Sequence, residues 1–236
     1  MVEQDHELDW NPHKLVDINS DHGLTRVGAV DISYSKDDAQ KAVAALIIFE
    51  FPSFKVLYED YEKDEAEYPY IPGFLAFKEV PSYSILFNRL KANAPELFPQ
   101  IILVDGNGIL HTRNFGCASH VGVEFGVPSI GVGKTVFAVD GLTQNGVKAA
   151  CDQKLLKGGD VLPLIGDSGK IWGLALRATN ESKNPLIVSI GHRVSLETAL
   201  TVTKVCISDF RIPEPIRQAD LRSRQKVKDI YDDVKN

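Results

Sequence analysis

From Ala42 to Phe51 the chain is apolar at every position but Glu50, and this run constrains the fold more than any other segment. It is far shorter than the ~20 apolar residues a membrane helix needs. It is too uniformly apolar for a half-exposed strand or a surface helix. The run therefore predicts a strand buried on both faces. Such a strand needs partners along its edges, and the flanking sequence supplies them. Val27 to Ser33 reads as one strand, and Phe54 to Tyr58 as another beyond the break at Pro52 and Ser53. Turn residues separate the three, so an antiparallel meander is expected.

Further along, Val80, Tyr83, Leu86, Phe87 and Leu90 fall at three-four spacing, which predicts an amphipathic helix over Lys78 to Ala92. Ile101 to Val104 reads as a short buried strand, His111 to Phe125 as a helix and Ser129 to Val132 as another strand. A strand–helix–strand order implies parallel pairing. Val161 to Ile165, Ile171 to Ala175 and Leu186 to Ile190 read as strands, and Val194 to Ser208 as a helix capped by Ser195. Three antiparallel strands followed by alternating helices and parallel strands predict an α/β fold of the ribonuclease-H-like type, a mixed sheet flanked by helices. In that layout the fourth strand pairs with the first, so Asp31 and Asp105 are expected side by side. No repeat or Gly/Ser linker divides the sequence. One domain over 1–236 is expected, with an N-terminal arm or helix over 1–25 and a charged tail over 216–236.

Hydrophobic residues make up 44% and charged residues 25%, enough to bury a core and keep a polar surface. The acidic N-terminus has no signal-peptide pattern. Cys117, Cys151 and Cys206 are too far apart in sequence for a paired-cysteine metal motif. These features suit a monomer in the cytoplasm, with a nuclear or nucleolar presence compatible with them. The net charge of −6 counts against nucleic-acid binding, but Tyr58 to Glu67 holds six acids and one base. The remainder is nearly neutral, which leaves room for a local basic groove. The segment from Arg211 to the C-terminus carries seven bases and five acids and reads as a solvated tail or a loose helix.

Asp31 lies within an apolar strand and Asp105 ends another. Singly, each is the kind of acid that forms turns. Side by side, two carboxylates repel unless a cation lies between them, and a hard divalent ion suits oxygen ligands. Glu79 could supply a third carboxylate, or only complement a helix dipole. His192 could orient or deprotonate water, and Lys134 could neutralise a phosphate oxygen; either could equally be an ordinary loop residue. Pro69, Tyr70, Ile71, Pro72 and Gly73 form a stiff string suited to prising a base from a stack, or to packing as a surface loop. Three other motifs fail. Gly131 to Thr135 lacks the upstream glycine of a phosphate-binding loop, because Pro128 stands there. Gly166 to Gly169 reads as a hairpin turn and not a serine-nucleophile segment. Asp105 to Gly108 lacks the closing acid of a calcium loop.

Taken together, these strings resemble the endonuclease V family over roughly residues 25 to 220. The matching pieces are Val30 to Tyr34, Pro69 to Val80, Leu103 to His111, Gly131 to Lys134, Gly191 to Leu196 and Arg211 to Pro215. The length of the tail and the Trp172 region resemble eukaryotic members. The resemblance implies hydrolysis of the second phosphodiester bond 3′ to inosine in single-stranded RNA or to deoxyinosine in DNA, leaving a 5′-phosphate and a 3′-hydroxyl. It implies Mg²⁺, with Mn²⁺ able to substitute, held by Asp31, Asp105 and Glu79. It places His192 and Lys134 with them as catalytic residues and Pro69 to Pro72 as a strand-separating wedge. Gly73, Leu75 and Gly106 would line the base pocket, and His111 would contact the strand. The alternatives are a catalytically weak reader of inosine-containing strands and a structure-selective nuclease of the same fold.

Overall fold

The structure, a computed structural model, describes residues 1–15, 23–38, 40–65 and 73–232. The first strand, β1, spans Arg26–Tyr34, β2 spans Lys41–Glu50 and β3 spans Val56–Glu65. Helix α1 covers Leu75–Asn93 and leads to β4 at Ile101–Val104. Helix α2 covers Cys117–Phe125, β5 Ser129–Gly133 and α3 Gln144–Lys154. Strands β6 (Val161–Ile165), β7 (Ile171–Leu176) and β8 (Leu186–His192) precede α4 at Leu196–Val205 and α5 at Glu214–Val227.

Among the described residues eight strands form one mixed sheet in the order β3-β2-β1-β4-β5-β8-β7-β6. The first three pair antiparallel, while β1–β4 and β4–β5 are parallel. Strand β8 returns antiparallel to β5, and β7 and β6 continue antiparallel to the far edge. The β2 run behaves as its composition requires: every residue from Ala42 to Phe49 is fully buried. Because side chains alternate across a strand, one apolar strand feeds two cores. In β4, Ile101 and Leu103 enter one core while Ile102 and Val104 enter the other. The second core joins β1, β2 and β4 to α1 and α2 through Val80, Leu86, Phe87 and Val121.

Several segments depart from expectation. Strand β3 continues past the expected end at Tyr58 to Glu65, so the acidic stretch up to that residue belongs to an edge strand. Alternation divides its charges between two helices: Arg89 of α1 pairs with Asp60 and Glu62, and Arg222 of α5 with Glu59. Charged side chains on an edge strand also discourage pairing with another chain. Helix α2 begins at Cys117 instead of His111, because residues 105–116 form a loop that folds back over the sheet. Gly131 permits that return, since a Cβ there would lie 2.5 Å from the Gly108 backbone nitrogen. The described part of the N-terminal segment forms an arm without a helix, anchored by buried Trp10 and by Asp5, which accepts hydrogen bonds from the Ser195 nitrogen and the Thr198 hydroxyl.

The largest correction concerns the expected tail. Residues 214–227 are helix α5, packed across β1 and β2 with Ile216, Ala219, Ser223 and Val227 turned inward. Their three- and four-residue spacing is the helical period. The surrounding arginines and lysines mask that period when composition alone is read.

Candidate active site

The last paired residues of β1 and β4 are Val30 and Val104, so Asp31 and Asp105 leave adjacent parallel strands at the same end of the sheet. This is the expected juxtaposition. Glu79 joins them from the second turn of α1. It lies behind the first turn and is only 7% exposed, so helix-dipole stabilisation does not account for it. The Tyr83 hydroxyl and the Cys117 thiol donate to Glu79 Oε2 at 3.5 and 3.6 Å. Burial, and then the neighbouring charges of Asp31 and Asp105, push the Glu79 pKa up to about 8. Burial likewise raises Asp31 to about 6, against a hydrogen bond from Ser223 and with added repulsion from Asp220 and Asp105. Burial, and then Glu79, Asp64 and Asp31, raise the Tyr34 phenol as well.

Helix α5 delivers two residues to this site that the sequence reading did not assign. The Ser223 hydroxyl donates to Asp31 Oδ2 at 2.5 Å, and Ser33 lies 2.7 Å behind it. Asp220, one turn earlier, is close enough to repel the Asp31 charge and is itself paired with Arg224 at 2.7 Å. On the other flank, Lys134 follows β5 and places Nζ 2.5 Å from Asp105 Oδ2. Two carboxylates, a third acid behind them and a lysine therefore meet at one end of the sheet.

His192 is not among them. It pairs with Ser129 at the start of β5, whereas Lys134 follows Gly133 at that strand's end. The intervening four residues of extended chain span roughly 13 Å. Its Nδ1 accepts a hydrogen bond from the Val2 nitrogen at 3.2 Å. Burial, then Arg193, the N-terminus and His6, depress its pKa to about 4. The sequence assignment fails because β8 runs antiparallel to β5, which carries its last residue away from the carboxylates. His192→Gln is expected to leave turnover within about twofold, as for substitutions outside a site. Its effect should appear in acid stability: neutral His192 is favoured by the fold, so stability falls as pH drops below about 6.5 in the wild type, and the variant should lose that slope in thermal melts. A large fall in turnover at unchanged melting temperature would return His192 to the mechanism.

Beside Asp105 opens a cavity of about 450 Å³. Gly73, Gly106, His111, Cys117, Lys134 and Phe137 are among the residues that line it. Gly73 adopts φ +79°, in the left-handed region glycine tolerates, immediately before α1. His111 is buried, stands edge-on to Phe137 with centroids 4.9 Å apart, and has its pKa lowered by burial and by Arg113. Phe77, Phe115 and His120 form an aromatic wall that the sequence reading passed over. Leu75 is the first residue of α1. Pro69, Tyr70, Ile71 and Pro72, assigned to the wedge, lie outside the described residues.

The arrangement matches known proteins. The endonuclease V family model matches residues 11–221. The chain belongs to the endonuclease V family. A mouse endonuclease V is 50% identical over 206 residues, covering 87% of this chain and 61% of that relative's length. The crystal structure of the catalytic domain of human endonuclease V superposes with a TM-score of 0.87 at 43% identity, covering 97% of this chain and 90% of that one. The endonuclease V of Ciona intestinalis, crystallised with a 23-mer DNA containing an inosine followed by a ribo-adenosine, gives a TM-score of 0.83 at 35% identity, covering 88% and 87%. The sheet order, with its central parallel strands, is the ribonuclease-H-like layout of that family.

Proposed function

We propose that the chain is a metal-dependent endonuclease that extrudes inosine from a single strand, RNA or DNA, and hydrolyses the second phosphodiester bond on its 3′ side, leaving a 5′-phosphate and a 3′-hydroxyl. One observation carries the reading: a base-sized cavity opens directly beside a cluster of carboxylates that repel one another. The Ciona relative's complex with inosine-containing DNA supports the choice of base.

The donor set fits a hard divalent cation. It consists of carboxylate oxygens whose mutual repulsion a cation would relieve. Among the described residues no group of three or more histidine, cysteine or acidic side chains is placed to hold a metal ion. Mg²⁺ needs fewer protein ligands, since it keeps several waters and binds through one or two carboxylates. Asp31 and Asp105 would hold Mg²⁺, or Mn²⁺, directly, with Glu79 acting through water or at a second position. Such an ion, when bound, stabilises charge on the phosphate and acidifies water.

The chain's own groups supply the rest. Lys134, now on Asp105, is placed to exchange that carboxylate for a non-bridging phosphate oxygen. Ser223 fixes the rotamer of Asp31. With His192 at the other end of the sheet, Asp220, and Glu79 once a cation has displaced its proton, are among the described groups near Asp31 able to accept a proton from attacking water. Gly73 and Gly106 line the cavity without side chains, the Gly73 carbonyl held by Arg113 at 3.0 Å and the Gly106 N–H donating to the Val132 carbonyl at 3.3 Å, and the aromatic wall offers stacking to a purine.

The test is cleavage of labelled single strands carrying one inosine, as RNA and as DNA, in Mg²⁺ or EDTA, beside adenosine controls. A single Mg²⁺-dependent cut, one nucleotide beyond the inosine's neighbouring bond, is the expected result. Cutting that ignores inosine would remove the base-pocket assignment. Binding without any cut would make the chain a reader of inosine.

A further inference from the structure

Lys134 has the base cavity on one side and a second hollow, of 210 Å³, on the other. The described residues lining this hollow include Lys134, Lys148, Arg211, Gln144 and Asn184, and none of them is a carboxylate. Lys134 is paired with Asp105 at its edge, but Lys148 and Arg211 face the depression with no acid in its lining, which on a chain of net charge −6 is not the usual mixed surface. The groove is assembled from separate parts of the chain. Helix α3 buries Val147 and leaves Lys148 exposed at the wall. The Gln144 side chain accepts from the Val136 nitrogen at 2.7 Å and ties α3 to the segment carrying Lys134. Arg211 sits at the rim, where among the described residues its guanidinium makes one hydrogen bond, to the Asn184 carbonyl at 3.5 Å.

The two hollows differ in chemistry. The base cavity is walled by Phe77, Phe115, Phe137 and two histidines, surfaces on which a base can stack. The second has no aromatic residue and presents cations and amides. Cations without aromatic neighbours position a backbone; they do not read a base. We propose that the groove of Lys134, Lys148 and Arg211 binds the sugar–phosphate backbone of the nucleic-acid strand whose extruded base fills the adjoining cavity, with Lys148 and Arg211 each neutralising one phosphate. This rests on the functional reading above for which strand is bound, and it adds the track that strand follows.

Counterion release gives a quantitative test. Each phosphate neutralised on a single strand contributes about 0.7 to the slope of log affinity against log salt. Labelled single strands with inosine or adenosine are titrated by fluorescence anisotropy in EDTA, which prevents cutting. The proteins are wild type, Lys148→Gln/Arg211→Gln, the charge-keeping Lys148→Arg/Arg211→Lys, and Lys91→Gln near the far end of the sheet. The double glutamine variant is expected to show a slope shallower by about 1.4, so that wild type loses about sevenfold more affinity between about 50 and 200 mM salt. The change should be equal on both strands, absent in Lys91→Gln and reversed by the charge-keeping pair. A slope equal to that of wild type, a loss confined to the inosine strand, or a failure of the charge-keeping pair to restore it would each overturn the proposal. If wild type neither prefers nor cuts inosine strands, the functional reading fails, yet the slope on the adenosine strand still decides the groove.

Discussion

Replacing Asp31 or Asp105 with asparagine is expected to slow cleavage of an inosine strand by roughly 10³-fold or more, equivalent to about 4 kcal/mol of transition-state stabilisation. Binding of the same strand should change only a few-fold, because the base cavity and the backbone groove remain. Asparagine keeps the shape of each side chain and can still accept from Ser223 at position 31. At position 31 it removes a charge that burial disfavours, so the thermal stability of Asp31→Asn should hold or rise. Loss of activity at equal or higher melting temperature therefore separates chemistry from unfolding. Single-turnover cleavage with excess enzyme measures it directly. An Asp31→Asn protein within tenfold of wild type would remove Asp31 from the reaction.

The second large effect is on pH. With Asp31 at about 6 and Glu79 at about 8, protons occupy this site where ordinary carboxylates would have lost them. A cation must displace those protons, and each one displaced contributes about a tenfold change in apparent affinity per pH unit. Apparent Mg²⁺ affinity should rise about tenfold per unit between pH 6 and 8 as Glu79 is emptied, more steeply below pH 6 where Asp31 adds a second proton, and flatten above 8. The stability sign is opposite. Both acids have folded pKa values above their unfolded ones, so the folded protein holds more protons and its stability without divalent ions falls as pH rises, first through 6 and then through 8. Glu79→Gln should raise the melting temperature at pH 8.5, abolish the pH 6–8 dependence of cation affinity and lose cleavage. Isothermal titration across that range checks the first part and melts in EDTA the second. A wild-type affinity that is flat from pH 6 to 8 would mean that Glu79 does not share its charge with the cation.

The acidic edge strand and helix α5 show how sequence reading can misjudge charge. Counted along the chain, Tyr58 to Glu67 looks hostile to nucleic acid and the C-terminal segment attractive to it. In the fold the two neutralise each other in part, through Arg222 and Glu59, with Arg89 compensating the other face of the strand. Cations that face an acid-free hollow come from α3, as Lys148, and from the start of the C-terminal segment, as Arg211 ahead of α5. Charge is read by neighbours in space, and no linear window contains them.

What the sequence determined by itself was the sheet and its central pair. An apolar run such as β2 is satisfied between two strands under two covering layers, and in the ribonuclease-H-like layout that the order of elements matches β4 lies beside β1, as it does here. Asp31, Asp105, Glu79 and Lys134 followed from that topology together with the family strings. What only the tertiary structure decided was which distant groups reach those carboxylates. His192 is carried away because β8 reverses direction against β5, and Asp220 and Ser223 arrive because α5 packs an inward stripe across β1 and β2. Strand direction and helix docking are set by long-range packing, which local periodicity does not encode.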